Sequence, residues 1–244
     1  NIFIVTVPTP IDKNKDPDFK PLLDVCKKIS KLLKNGDIIV FESTVYPGAT
    51  EEICAKELEK NESSLKSGVD FFLGYSPERV NPGDKKRTID KINKVISGQN
   101  KKVETILFDI YSKLTKGEIF LAKNIKVAEA SKVIENAQRD INIAFINEVA
   151  KICSKLNISI YDVLDASNTK WNFLPFLPGL VGGHCIGVDP YYLSHKAKEL
   201  RVDPEVILSG RRTNDNMPKF IFKEIQKRLK KKANILFLGV TVIR

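Results

Sequence analysis

The stretch Gly179 to Tyr192, GLVGGHCIGVDPYY, sets His184 and Cys185 side by side in a glycine-rich loop, with Asp189 four residues beyond the cysteine. A cysteine serves as a nucleophile when it is reachable and its thiolate is stabilised by positive charge or by backbone N–H groups. Glycines ahead of it, Gly182 among them, let the backbone come close to a substrate, and Asp189 offers a carboxylate that can orient or activate water. A structural thiol beside a capping histidine, or the nucleophile of a thiol hydrolase, fits the same local pattern. The loop alone leaves these readings level.

Three other places carry polar residues where a parallel sheet has its functional edge, outside the carboxyl ends of its strands. One is VPTP, Val7 to Pro10, which contains Thr9. In FESTVYPG, Ser43 and Thr44 stand between a strand and a helix start, a position suited to an anion or a ribose hydroxyl and equally to a helix cap. In YSPERVNPGD, Glu78 and Arg79 follow a buried strand; Glu78 can hold a water or simply pair on the surface. A further set, Lys132, Asn136 and Arg139, is spaced i, i+4, i+7, which puts all three on one face of a helix.

The elements that must position these residues follow from the apolar pattern. NIFIVTV, DIIVFES and FFLGYS read as buried strands and IFLA as a shorter one, with helices expected at Pro21 to Lys34, from Gly48, and at Lys101 to Lys116. This alternation predicts a Rossmann-like parallel sheet. From Ile125 to Asn157 neither proline nor glycine occurs, and Val127, Ala130, Val133, Ala137, Ile141, Ala144, Val149, Ile152 and Leu156 recur at steps of mostly three and four. That pattern predicts one helix of about 45 Å, long enough to link domains or form a subunit interface. A short helix near Tyr161 to Ala166, the loop, and helices interrupted near TNDNMP complete an all-helical part, and NILFLGVT reads as the first strand of another α/β unit. The expected fold class is therefore α/β: a partial Rossmann-like sheet joined by a long central helix to an all-helical middle domain, with the start of a second α/β domain. The corresponding domains are 1–124, 125–217 and 218–244.

Composition narrows the function classes. The formal charge is +10, but the lysines are spread along the chain apart from KRLKKK near its end, and no aromatic residues interleave with that run, which argues against a nucleic-acid partner. The four cysteines, Cys26, Cys54, Cys153 and Cys185, form no CxxC pair, which argues against a disulfide framework and a metal site; only Cys185 falls outside a helical pattern. No apolar run is long enough to cross a bilayer, so a cytoplasmic setting without membrane attachment is expected. No two glycines are separated by a single residue, so the GxGxxG turn that grips a pyrophosphate is not in this sequence.

Taken in order, VPTP, ESTVYPG, SPERVNPG, KVIENAQRDINIAFINE and PGLVGGHCIGVDP resemble the UDP-sugar 6-dehydrogenase family across essentially the whole chain, in the form of the branch that acts on UDP-N-acetylhexosamines. The resemblance implies NAD as cofactor and a four-electron oxidation of a sugar C6 alcohol to a uronic acid, through a thiohemiacetal and a thioester on Cys185, for surface polysaccharide precursors. It implies that Lys132 and Asn136 stabilise the oxyanion, and that Asp189, Glu78 and Thr44 hold the water. It places Glu78, Arg79, Val80, Lys132, Asn136, Arg139 and Gly182 along the sugar nucleotide, and Thr9, Thr44 and Cys185 on the nicotinamide side. It further implies a homodimer through the long helix. The stretch NTKWNFLPFL ahead of the loop lacks the basic cluster of mannosamine-type enzymes, which points to UDP-N-acetylglucosamine or UDP-N-acetylgalactosamine; UDP-glucose is the alternative within the family. Both ends depart from the family pattern and are expected to be cut.

Overall fold

The computed structural model describes residues 1–60, 64–80, 85–183, 185–229 and 233–236. It divides into two compact units, Asn1–Glu135 with Tyr191–Leu200, and Asn136–Pro190 with Arg201–Arg244.

The first unit holds a five-stranded sheet in the order β1 (Ile2–Val5), β2 (Ile38–Phe41), β3 (Phe72–Tyr75), β4 (Lys94–Gly98), β5 (Ile119–Leu121). β1, β2 and β3 run parallel in the expected manner, Ile38 facing Ile2 on one side and Phe72 on the other. β2 is buried along its whole length, which is why it reads as an unbroken apolar run. β4 corrects the expectation. KVISG pairs antiparallel with β3 and parallel with β5, so the sheet is mixed, although parallel pairs dominate. Periodicity over five residues headed by a lysine is too weak a signal to mark such a strand.

α3 (Lys101–Leu114) packs on the β3–β4 pair through Val103, Leu107 and Tyr111, which join Ile38, Val40 and Ile96 in one core cluster. Its approach is close because Gly74 and Gly98 face each other in the register: a Cβ on Gly74 would meet the Leu107 side chain at 2.6 Å, and one on Gly98 would meet Val103 at 2.8 Å. Asn100 caps the helix by accepting from the Val103 amide at 3.0 Å. α1 (Lys20–Ser30) stops four residues short of Lys34. The helix expected from Gly48 begins as a π-helical turn, Thr50–Cys54, before tightening into α2 (Ala55–Leu58).

α4 runs without interruption from Ile125 to Leu156, as the absence of proline and glycine predicts. Its buried seam differs from the expected one. Ile125, Ala128, Val133, Ala137, Ala144, Ile146, Ala150 and Cys153 are buried together with the polar Glu129, Lys132, Asp140 and Asn147. Val127, Ile152 and Leu156 are exposed, as are Ile134 and Phe145. The helix carries two apolar stripes, and steps of three and four lead from one to the other, so counting apolar residues alone merges them.

The second unit is helical: the remainder of α4, α5 (Ile160–Ser167), the first residues of α6 (Asp189–Glu199), α7 (Glu205–Asp215) and α8 (Met217–Arg228), with the break between α7 and α8 at Asn216. The strand expected at Asn234 to Thr241 falls mostly outside the described residues.

Candidate active-site residues and their relatives

In the first unit the carboxyl ends of β1 and β2 meet. The Ser43 hydroxyl donates to the Val7 carbonyl at 2.6 Å, and the Tyr75 hydroxyl donates to the Ser43 carbonyl at 3.1 Å. This ties VPTP to ESTV and leaves Thr9 and Thr44 half-buried on the same edge. Beneath them Tyr111 donates to Glu42, and Lys94 lies 3.7 Å from the same carboxylate and over the Tyr111 ring. Burial, with Glu42 adding to it, holds the Tyr111 hydroxyl well above the usual tyrosine range.

Glu78, half-buried just after β3, accepts from the Val80 backbone amide at 2.7 Å, an interaction within its own turn. Arg79 is engaged with α4: its guanidinium lies 2.9 Å from Glu135 and also donates to the Asn93 carbonyl. Residues Asn81 to Asp84 of the same motif lie outside the described residues. Lys132 is 8 % exposed, an ammonium taken largely out of water.

One residue of this unit goes unmarked by sequence reasoning. Glu129, fully buried one turn before Lys132, accepts from the amides of Gly48 at 2.5 Å and Thr50 at 2.9 Å. It thereby fixes the start of the π-helical turn that follows Ser43 and Thr44. Burial pushes its carboxyl up to about 7, partly offset by hydrogen bonds from Thr50 and Gly48. The available signal is an acidic residue inside an apolar seam, directly after the buried Ala128 and four positions after the buried Ile125.

In the second unit Cys185 is exposed, whereas Cys26, Cys54 and Cys153 are buried. Its carbonyl accepts from the amides of Val188 and Asp189, the turn that leads into α6, so the positively polarised end of that helix lies at the thiol's loop. Asp189 is the first residue of α6 rather than part of the loop, and it is buried. Asn136 donates to it at 2.5 Å. Gly182 is exposed, as is Arg139. His184 lies outside the described residues. Lys132, Asn136 and Arg139 thus pass from buried through half-buried to exposed along α4. Among the described residues no group of three or more metal-ligating side chains converges, and no helix is long and apolar enough to cross a membrane.

A parallel-dominated sheet with hydroxyls at its carboxyl edge, followed by a helical unit bearing an exposed cysteine at a helix start, defines a nucleotide-binding α/β fold with an appended helical domain. Residues 1–115 match the NAD binding domain of the UDP-glucose/GDP-mannose dehydrogenase family, and residues 126–216 match the central domain of that family. The chain belongs to this family. It is 52 % identical over 247 residues to the UDP-N-acetyl-D-glucosamine 6-dehydrogenase of Pseudomonas aeruginosa, covering 99 % of this chain and 58 % of that protein. It is 36 % identical to the UDP-N-acetyl-D-mannosamine dehydrogenase of Pyrococcus horikoshii, over 93 % of this chain and 54 % of that one. A solved structure of a UDP-D-ManNAc dehydrogenase from Pyrococcus horikoshii superposes with a TM-score of 0.83 at 35 % identity, over 93 % of this chain and 54 % of that one. The chain thus spans a little over half the length of these relatives.

Proposed function

We propose that the protein of which this chain forms part is a UDP-N-acetylhexosamine 6-dehydrogenase, oxidising the C6 alcohol of UDP-N-acetylglucosamine or UDP-N-acetylgalactosamine to the uronic acid with two NAD and one water. The observation that carries the reading is Cys185, the one exposed cysteine among four, in the turn that leads into α6, its carbonyl accepting from the amide of Asp189, which Asn136 in turn bonds. Relatives named for the glucosamine substrate are 52 % and 49 % identical, whereas the one named for mannosamine in Pyrococcus horikoshii is 36 % identical, which favours the first substrate class.

When bound, NAD takes up a hydride from the sugar carbon in each of the two oxidations. The half-buried hydroxyls of Thr9 and Thr44, at the carboxyl edge of β1 and β2, fit the carboxamide and ribose hydroxyls on the nicotinamide side of a dinucleotide. The glycine turn for its pyrophosphate has no counterpart in these residues. Cys185 adds its sulfur to the aldehyde left by the first oxidation, giving a thiohemiacetal whose oxygen carries the developing negative charge in the second. The buried ammonium of Lys132 stabilises that charge. Asn136 contributes as well: an amide nitrogen has two N–H donors, and Asp189 takes one of them. Loss of the second hydride leaves a thioester. Water, held by Asp189, Glu78 and Thr44, attacks the acyl carbon, breaks the C–S bond, and returns the thiol and the acid. Arg79, Val80, Arg139 and Gly182 line the sugar nucleotide.

The same reading assigns 1–124 to a partial NAD-binding domain, 125–217 to the central helical domain and 218–244 to the start of a UDP-binding domain. It places the enzyme in the cytoplasm, supplying surface polysaccharide precursors, as a homodimer through α4. Exposed Ile134, Phe145, Ile152 and Leu156, separated by 11, 7 and 4 residues along one stripe of α4 close to coiled-coil spacing, support that interface.

The test uses the intact protein with NAD and a panel of UDP-hexosamines and UDP-glucose. Two NADH per acid formed are expected, with Cys185→Ser still binding both ligands and releasing no acid. Absence of NAD reduction with every UDP-hexosamine would refute the assignment.

A further inference from the structure

The cysteine loop is fastened to α4 at both ends by asparagines. At its far end Asn136 donates to Asp189. At its near end the Asn147 side chain imitates a strand partner: its Oδ1 accepts from the Gly179 amide at 2.8 Å while its Nδ2 donates to the Gly179 carbonyl at 2.9 Å. Asn136 and Asn147 are eleven residues apart, three helical turns to within about 20° and about 16 Å along the axis. They therefore stand on one face of α4 and hold Gly179 and Asp189, the residues that bracket the cysteine loop.

Asn147 is itself held. It is fully buried, and its Nδ2 also donates to the Asn214 Oδ1 at 2.8 Å. Asn214, on α7, donates in turn to the Asp140 carbonyl at 3.0 Å and to its carboxylate at 2.7 Å. The Arg211 guanidinium closes the chain on Asp140 at 2.6 Å and donates to Asp215 as well. Asp140 and Asn214 are almost wholly inaccessible. Burying this many polar groups is costly unless each finds a partner; the side-chain amides of Asn147 and Asn214 use both their oxygen and their nitrogen within this chain, which makes it rigid, while the second Asp140 carboxylate oxygen accepts no hydrogen bond among the described residues. A simple apolar contact would close the same gap between α4 and α7 at less desolvation cost but could not fix the direction of a backbone amide and carbonyl together.

We infer that Asn147 is a positioning residue for the cysteine loop: it fixes the main chain of Gly179, six residues ahead of the thiol, and the Asn214–Asp140–Arg211 relay fixes Asn147. The role in turnover rests on Cys185 being the nucleophile; the anchoring of the loop does not. Holding a reacting group in place matters because a misplacement of about 1 Å can cost about a hundredfold in rate.

Three measurements test this. In the unsubstituted protein, hydrogen exchange at the Gly179 amide is expected to be at least a hundredfold slower than at Gly182 and Gly183. Asn147→Ala is expected to change the rate of Cys185 alkylation by iodoacetamide at least threefold, with buried Cys26, Cys54 and Cys153 as references read by mass spectrometry. It is also expected to lower kcat by about ten- to a hundredfold with KM for NAD within about threefold. Leu164→Ala, which empties a core position of the same unit and makes none of these bonds, is expected to leave Cys185 alkylation within twofold. Equal exchange at Gly179 and Gly182 would overturn the inference, as would unaltered alkylation in a folded Asn147→Ala protein or the same change in Leu164→Ala. If Asn147→Ala does not fold, the exchange measurement decides. If no UDP-sugar is oxidised by the unsubstituted protein, the proposed function falls, while exchange and alkylation still decide the anchoring.

Discussion

Glu129 makes a pH prediction of definite sign. Its carboxyl titrates at about 7 in the folded chain against a reference of 4.5, because burial opposes the charge more than the amides of Gly48 and Thr50 favour it. The folded state therefore keeps this proton where the unfolded chain has released it. The stability it contributes is fully present below pH 4.5 and is lost as pH rises through 7. At 1.36 kcal/mol per unit, that loss amounts to about 3 kcal/mol across the interval. Glu129→Gln cannot ionise and lacks the slope, although its amide turns a donor toward one of the two backbone N–H groups and lowers stability at every pH. The assay is urea unfolding read by hydrogen exchange of peptides from Asn1–Glu135 between pH 5 and 7.5, parent against variant. The difference between the two is expected to shrink by about 2 kcal/mol over that window, the rest of the loss lying outside it. The amide resonances of Gly48 and Thr50 should titrate with the same midpoint. Parallel stability curves for the two proteins, or amide shifts flat through pH 7, would show that the carboxylate is not the desolvated group described.

Three further outcomes are expected. Gly117→Ala would place a Cβ 2.4 Å from the Ile92 carbonyl oxygen, so the β4–β5 edge must shift; a loss of about 1–3 kcal/mol in thermal or urea unfolding is expected. Asn100→Ala removes the side chain that caps α3 and should cost about 1 kcal/mol by the same measurement, with Asn100→Asp retaining most of it. Phe145→Glu with Ile152→Glu puts charges into the exposed apolar stripe of α4 and should convert a dimer into a monomer in sedimentation, leaving the far-ultraviolet circular dichroism of the monomer unchanged.

How far these features can be read from the chain depends on how local their cause is. α4 is legible almost to the residue, since thirty-two positions free of glycine and proline leave few alternatives to a helix. β2 is legible because burial on both faces leaves an uninterrupted apolar run. β4 is not, because its direction is set by the strand it meets and not by its own five residues. Of the site, the cysteine loop announces itself through glycines and an unpatterned thiol. Glu129 and Asn147 do not, because each works by reaching main-chain groups 79 to 81 and 32 residues away, and nothing in their neighbours' identities records such a partner. The partner of Arg79 is equally silent in the chain: its guanidinium lies against Glu135, 56 residues away.

The reversed fourth strand has one more effect. A strand running with its neighbours would deliver its last residue to the edge where Thr9 and Thr44 sit, whereas β4 delivers its first, Lys94, and so brings a positive charge beside Glu42 at that rim. The segment entering β4 then borders the carboxyl edge of β1 and β2. Its length and composition leave the hydrogen-bonded ladder behind it untouched, because the register of β4 is set by Gly98 against Gly74 and Ser97 against Tyr75.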